Sequence, residues 1–94
     1  MIIRPEAEAD LADARAYYES RRAGLGDEFL RAVRAALVRI ESTPELHAVV
    51  HRDVRRTLIR RFPFAVYYRI HLGEPVVLAV VHGSRDPGRW KSRS

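Results

Sequence analysis

The sequence predicts an α+β fold: a short N-terminal strand, then a two-helix hairpin packed on a three- to four-stranded antiparallel sheet. Three observations predict it. Apolar residues recur at helical spacing between Ala7 and Ile40, the period changes to two from Val54 onward, and only a short glycine-bearing link separates the two helical patterns. Helices joined so closely lie side by side, and a helical pair buries its apolar stripe on a neighbouring layer. The 94 residues make one domain, 1–94, able to bury roughly 60–65% of its unfolded surface without disulfides or metal.

Each element has its own warrant. MIIR (1–4) is a short apolar opening, read as an edge strand stopped by Pro5. Proline suits the first position of a helix, and Glu6, Glu8 and Asp10 face the positive end of its dipole. Ala7, Leu11, Ala14 and Tyr18 then mark one helical face. RRAGLGD (21–27) interrupts the pattern, with Gly24 and Gly26 available for the turn and Asp27 for a cap. Phe29, Leu30, Val33, Ala36, Leu37 and Ile40 form the stripe of the second helix, which Ser42-Thr43-Pro44 ends because a residue before proline avoids helical angles. Residues 45–53 read as a polar connection.

From Val54 the strands begin. RRFPFAVYYRIH (60–71) places Phe62, Phe64, Val66, Tyr68 and Ile70 on one face. Arg61, Pro63, Ala65, Tyr67, Arg69 and His71 fall on the other, since strand side chains alternate. The first face packs beneath the helices, which leaves the arginine-bearing face open. LGEP is a turn, and VVLAVVHG (76–83) is apolar on both faces, as a central covered strand would be. In HGSRDPGRW (82–90), Gly83 and Pro87-Gly88 supply turn chemistry and put Ser84, Arg85, Asp86 and Trp90 on an exposed bend.

The charge is segregated. The net charge is +5, yet residues 1–50 hold seven arginines against nine acids, whereas 51–94 hold ten cations against three acids. Lys91 is the only lysine, and arginine's planar fork suits bidentate contact with carboxylate or phosphate. A local cluster of this sign recruits an anionic partner. With no cysteine, disulfides and thiolate metal sites are excluded. No apolar run approaches the ~20 residues of a membrane span, and the expectation is a cytoplasmic protein with no membrane partner.

Catalytic patterns are sparse. His82, Ser84 and Asp86 are near in sequence but do not form a nucleophile motif. HAVVH (47–51) has metal-like histidine spacing without the adjacent glutamate of a zinc protease, so neither a metal nor a cofactor is expected. General acid–base work on RNA is conceivable through His82, Arg85 and the arginines of 55–61, among them Arg56. A nucleic-acid-binding module using the basic half is a further class, marked by steep salt dependence. Against a ligand role, a single tryptophan such as Trp90 is more often core, and an arginine beside an aspartate is usually a local ion pair.

Three blocks, DLADARAYYESRRAGLGDEFLRAV (10–33), VRRTLIRRFPFAVYYRI (54–70) and HGSRDPGRW (82–90), resemble the RelE/ParE superfamily, the toxin half of type II toxin–antitoxin modules. The likeness runs over nearly the whole chain and is greatest to the ParE-like branch, often labelled plasmid-stabilisation proteins. It implies growth arrest by inhibition of DNA gyrase, with neutralisation by a cognate antitoxin whose acidic, partly apolar C-terminal segment wraps the toxin. The alternative it implies is RelE-like, metal-independent cleavage of mRNA in the ribosome, with His82, Arg85 and Arg56 as the catalytic candidates. Leu58 and Ala65 stand where RNA-cleaving relatives carry cations, and Trp90, near their terminal tyrosine, is no acid at neutral pH. The resemblance therefore favours target or antitoxin binding through Arg56, Arg60, Arg61, Tyr67, Arg69, Arg85 and Trp90.

Overall fold

The computed structural model describes residues 1–84 and 87–94. In chain order the elements are β1 (Ile2–Ile3), α1 (Pro5–Arg21), α2 (Leu25–Ser42), β2 (Ala48–His51), β3 (Val54–Leu58), β4 (Phe64–His71), β5 (Glu74–His82) and α3 (Pro87–Ser92). One sheet runs in the order β1-β5-β4-β3-β2. Every pairing is antiparallel except β1 on β5, which is parallel.

The fold class is as the sequence predicts, with five strands rather than three or four. The added strand, β2, lies in the segment whose composition suggests a polar connection. Its four residues carry no clear alternation, and it is the ladder to β3 that holds them extended. The expected exposed bend also gives way at its end to a third helix. Pro87 opens α3, where its fixed φ suits the first turn.

The helical hairpin is closed by a cap that crosses between its arms. The Glu19 carboxylate of α1 accepts the N–H groups of Gly24 and Gly26, each at 2.9 Å. These are among the donors that the start of α2 would otherwise leave unpaired. Helix α2 accordingly starts at Leu25, with Gly24 at φ +88° before it, and Asp27 sits in the first turn instead of at the cap. Gly26 is required by close approach: a Cβ there would stand 2.9 Å from the Arg15 carbonyl oxygen.

The main core lies between the hairpin and the sheet. Phe29, Val33, Ala36 and Ile40 from α2 meet Val66 and Tyr68 of β4 and Val77 and Val80 of β5. Tyr18, Phe29, Phe62 and Phe64 form an aromatic group with ring centroids 4.9–5.9 Å apart. Each large apolar side chain fully buried here contributes about 1.5–3 kcal/mol before entropy is set against it. The even residues of 62–70 thus face the helices, as their alternation implies.

Strand β5 supplies a second core on the opposite face. Its register against β4 passes from Tyr67↔Ala79 to Tyr68↔Val77, leaving Leu78 as an extra residue. That bulge turns Leu78 and Ala79 to the same side. With Val54, Ala65, Tyr67 and Val81 they make an apolar floor, and Trp90 of α3 closes it.

Beyond β1, side chains take over the edge of β5. The buried Asp10 carboxylate accepts the Val80 N–H at 3.0 Å. Arg93 donates to the Leu78 carbonyl at 3.0 Å and pairs with Asp10 at 2.6 Å. This satisfies backbone groups that a longer β1 would otherwise have met.

Candidate functional site

The open face of the sheet is the site the sequence points to, and the structure closes its centre. Tyr67 is fully buried, and the Trp90 indole stacks on its ring at 4.5 Å between centroids and 10° between planes. The Tyr67 hydroxyl donates to the Gly83 carbonyl at 3.4 Å. His51 meets the Trp90 ring on edge at 5.8 Å. Neither aromatic offers its face to solvent. The expectation that Trp90 sits on an exposed bend is corrected: apolar Val54, Ala65, Leu78 and Val81 around Tyr67 need a cover, and the indole is that cover.

Around this closed centre the arginines have different fates. Cross-strand pairs resolve the register of β3: Arg56 stands opposite Tyr67 and Leu58 opposite Ala65, so both lie on the open face. Arg55 and Thr57 fall on the helix side, opposite Tyr68 and Val66. Arg55 spends its guanidinium on the carbonyls of Glu45 and His47, both at 2.9 Å, which pins the start of β2. Arg56 is half-buried and makes no hydrogen bond or ion pair among the described residues.

Arg60 and Arg61 sit on the turn between β3 and β4, both exposed. Arg61 adopts φ +72°, which non-glycine residues rarely do, and its guanidinium lies 3.3 Å from Glu28 of α2. Glu28 also takes Arg22 at 2.8 Å, and that hydrogen bond, ahead of the one from Arg61, holds the carboxyl below its ordinary value of 4.5. Arg69 faces the other end of the sheet, bridging Asp53 at 3.2 Å and the Ser94 carbonyl. The structure therefore brings Arg56, Tyr67 and Trp90 together and sets Arg61 and Arg69 apart at opposite ends. Arg85 lies outside the described residues.

His82, the candidate base, is half-buried at the end of β5, and its Nδ1 accepts the Ser84 N–H at 3.2 Å. The proton of a neutral ring is then on Nε2. It lines a cleft of about 180 Å³ with Asp13, Tyr17 and Arg89, on the helix-hairpin side of the edge and away from Arg56. The histidines of HAVVH diverge: His47 approaches the Tyr68 ring of the main core, while His51 turns to Trp90 on the open face. Among the described residues no cluster of metal-ligating side chains occurs, and no helix is long and apolar enough to cross a membrane.

Sequence reasoning misses the roles of Asp10 and Arg93. Asp10 resembles a helix-start acid, yet it falls three residues after Ala7 and four before Ala14, within the buried stripe. An acid at such a position is a signal for a buried partner.

Comparison with known proteins places this geometry. The family described as the ParE toxin of the type II toxin–antitoxin system, parDE, matches residues 1–87. A solved structure of a chromosomal ParDE TA system from P. aeruginosa superposes with a TM-score of 0.64 at 19% identity, over 87% of this chain and 95% of that one. No curated protein matches. The likeness in structure concerns the fold; the match over 87 of 94 residues concerns the family. The chain belongs to the ParE toxins of type II toxin–antitoxin systems.

Proposed function

We propose that this ParE toxin arrests growth by binding and inhibiting DNA gyrase, and that a cognate antitoxin holds it inactive by covering part of its cationic sheet. The observation that carries the choice of target is the Leu58–Ala65 pair. These two uncharged residues stand opposite each other on the open face, with Leu58 61% exposed. A scissile phosphate bound there would meet hydrocarbon, whereas catalysis of phosphodiester cleavage needs fixed cations around the developing charge. Trp90 is buried against Tyr67 and supplies no acid. Binding to a protein target needs neither. Arg56 and Arg60 with exposed Leu58 give the mixed cationic and apolar surface that protein interfaces favour, whereas the Arg61 guanidinium is turned to Glu28 on the helix side.

The test is direct. Purified toxin added to gyrase in a DNA supercoiling assay should inhibit the reaction, and an antitoxin encoded beside it should restore it. Unimpaired supercoiling at toxin concentrations that arrest growth rejects the gyrase target. Mapping mRNA 5′ ends after induction addresses the ribosome-dependent alternative, since codon-phased new ends would establish cleavage and overturn the gyrase proposal.

A further inference from the structure

We propose that the open face of the sheet holds the backbone of duplex DNA through Arg52, Arg56 and Lys91, grouped around the covered Trp90; the choice of DNA rests on the proposal that gyrase is the target, since that enzyme works on duplex DNA. Many of the cations are engaged inside the fold. Arg39, Arg55 and Arg93 bind backbone carbonyls, and Arg15, Arg22 and Arg61 bind carboxylates. Among the described residues Arg52, Arg56, Arg60 and Lys91 make no hydrogen bond or ion pair from their side chains, and neither do Arg31 and Arg34, which are exposed on α2. Arg60 lies beyond Leu58, at the end of the face assigned to a protein partner.

The other three converge. Arg56 stands opposite Tyr67, on which Trp90 is stacked. The Lys91 Nζ lies 5.6 Å from the centre of the indole ring, and His51, which meets that ring on edge, precedes Arg52 at the β2–β3 turn. Across β2, β3, β4, α3 and the turns joining the three strands, the only acid among the described residues is Asp53, and Arg69 already holds it at 3.2 Å. Such a cluster draws a polyanion.

The closed centre selects the kind of polyanion. Tyr67 is fully buried and Trp90 is 6% exposed, so neither can stack on a base. What the cluster offers is fixed positive charge without exposed aromatic surface, which contacts phosphates and carries no sequence preference. An acidic peptide would have to offset its own ordering by burying hydrocarbon. At the cluster that hydrocarbon is already covered by Trp90. Association with DNA needs no such burial, because released counterions drive it.

The probe is a short fluorescein-labelled DNA duplex titrated with the purified toxin and read by anisotropy. Three phosphate contacts should make the affinity fall about 20-fold between about 50 and 150 mM salt. With Arg56→Gln and Lys91→Gln combined, the fall should shrink to about threefold, whereas Arg31→Gln with Arg34→Gln should leave it at about 20-fold. In 15N-labelled toxin, saturable amide shifts should gather at His51, Arg52, Arg56 and Lys91, and thermal midpoints near the parent's should show that both double variants are folded. No saturable binding at the lower salt, an unchanged salt dependence in the first pair, or loss of binding in the second pair overturns the proposal. A single strand, an RNA duplex or a polyglutamate of equal charge that binds more tightly than the DNA duplex overturns the choice of occupant. If the toxin binds the duplex yet leaves supercoiling unimpaired, the gyrase reading fails and the phosphate site stands. If it inhibits supercoiling and ignores the duplex, the phosphate site alone is rejected.

Discussion

The Tyr67 ring lies flat against the Trp90 indole, 4.5 Å between centroids, although 22 residues, the whole of β5 among them, separate the two in sequence. This contact makes the sheet two-sided: one core under the helical hairpin, a second under a six-residue helix. Trp90→Ala should therefore destabilise the protein by about 3–5 kcal/mol, the usual cost of emptying a buried aromatic site. Chemical denaturation measures it. As Trp90 is the only tryptophan, its fluorescence in the parent should be that of a buried indole and shift to longer wavelength in the same transition.

Gly26 is predicted to resist even alanine. The new methyl would press on the Arg15 carbonyl oxygen, a backbone atom in the facing helix that cannot step aside. Gly26→Ala should cost about 1–3 kcal/mol as an overpacked contact, despite alanine's better helix propensity. Gly24→Ala has open space around it, and its cost comes instead from φ +88°. Thermal melts of the two variants separate crowding from backbone strain only if combined with structure determination, in which α1 and α2 should move apart for Gly26→Ala alone.

Arg93→Ala should leave the Asp10 carboxylate buried with the Val80 N–H and the more distant Arg89, 3.6 Å away, for company. Removing one partner of a buried pair typically costs about 3–5 kcal/mol, and Arg93 is sufficiently enclosed, at 19% exposure, for the lower part of that range to apply. Hydrogen exchange gives a local check: the Val80 amide should exchange faster in Asp10→Ala, which removes its acceptor altogether.

The ion pairs at Glu28 set a pH signature. Its folded value is lowered by Arg22 and Arg61 from the ordinary 4.5. Stability from this group is thus present above about pH 4.5 and is lost as pH falls through the lowered folded value. Glu28→Gln should flatten that part of the acid limb of a urea-midpoint profile and leave the profile near neutrality parallel to the parent's. An unchanged acid limb would mean that the contacts to Arg22 and Arg61 do not persist in solution.

Arg56→Glu is predicted to abolish most toxicity while changing the thermal midpoint little, because Arg56 makes no pairing among the described residues and stands at the border of the closed centre. Growth after induction and the supercoiling assay read the first, and a melt reads the second. A variant that melts much earlier would assign Arg56 to the fold instead of to the partner surface.

How much is legible in the sequence follows from where the determining forces act. Helices α1 and α2 are set by local spacing, by Pro5 and by Pro44, and the even residues of 62–70 announce their face by alternation. Strand β2 is hidden because its extended form depends on β3 and not on its own pattern. The burial of Tyr67 is hidden because alternation tells which side a residue points to, not what lies on that side. Trp90 needs the third helix, whose six residues carry too little periodicity to be read. The arginines diverge for a similar reason: Arg55 and Arg56 are neighbours in sequence, yet register sends one to backbone carbonyls and the other to the open face. Asp10, by contrast, is readable, as an acid inside an apolar stripe.

The clasp between Asp10 and Arg93 spans 83 positions, so it ties the first helix to the segment that follows the third. Because the same carboxylate also takes the Val80 N–H while Arg93 takes the Leu78 carbonyl, one contact fastens the edge of β5 to elements far apart in sequence, and a single substitution at Asp10 loosens both.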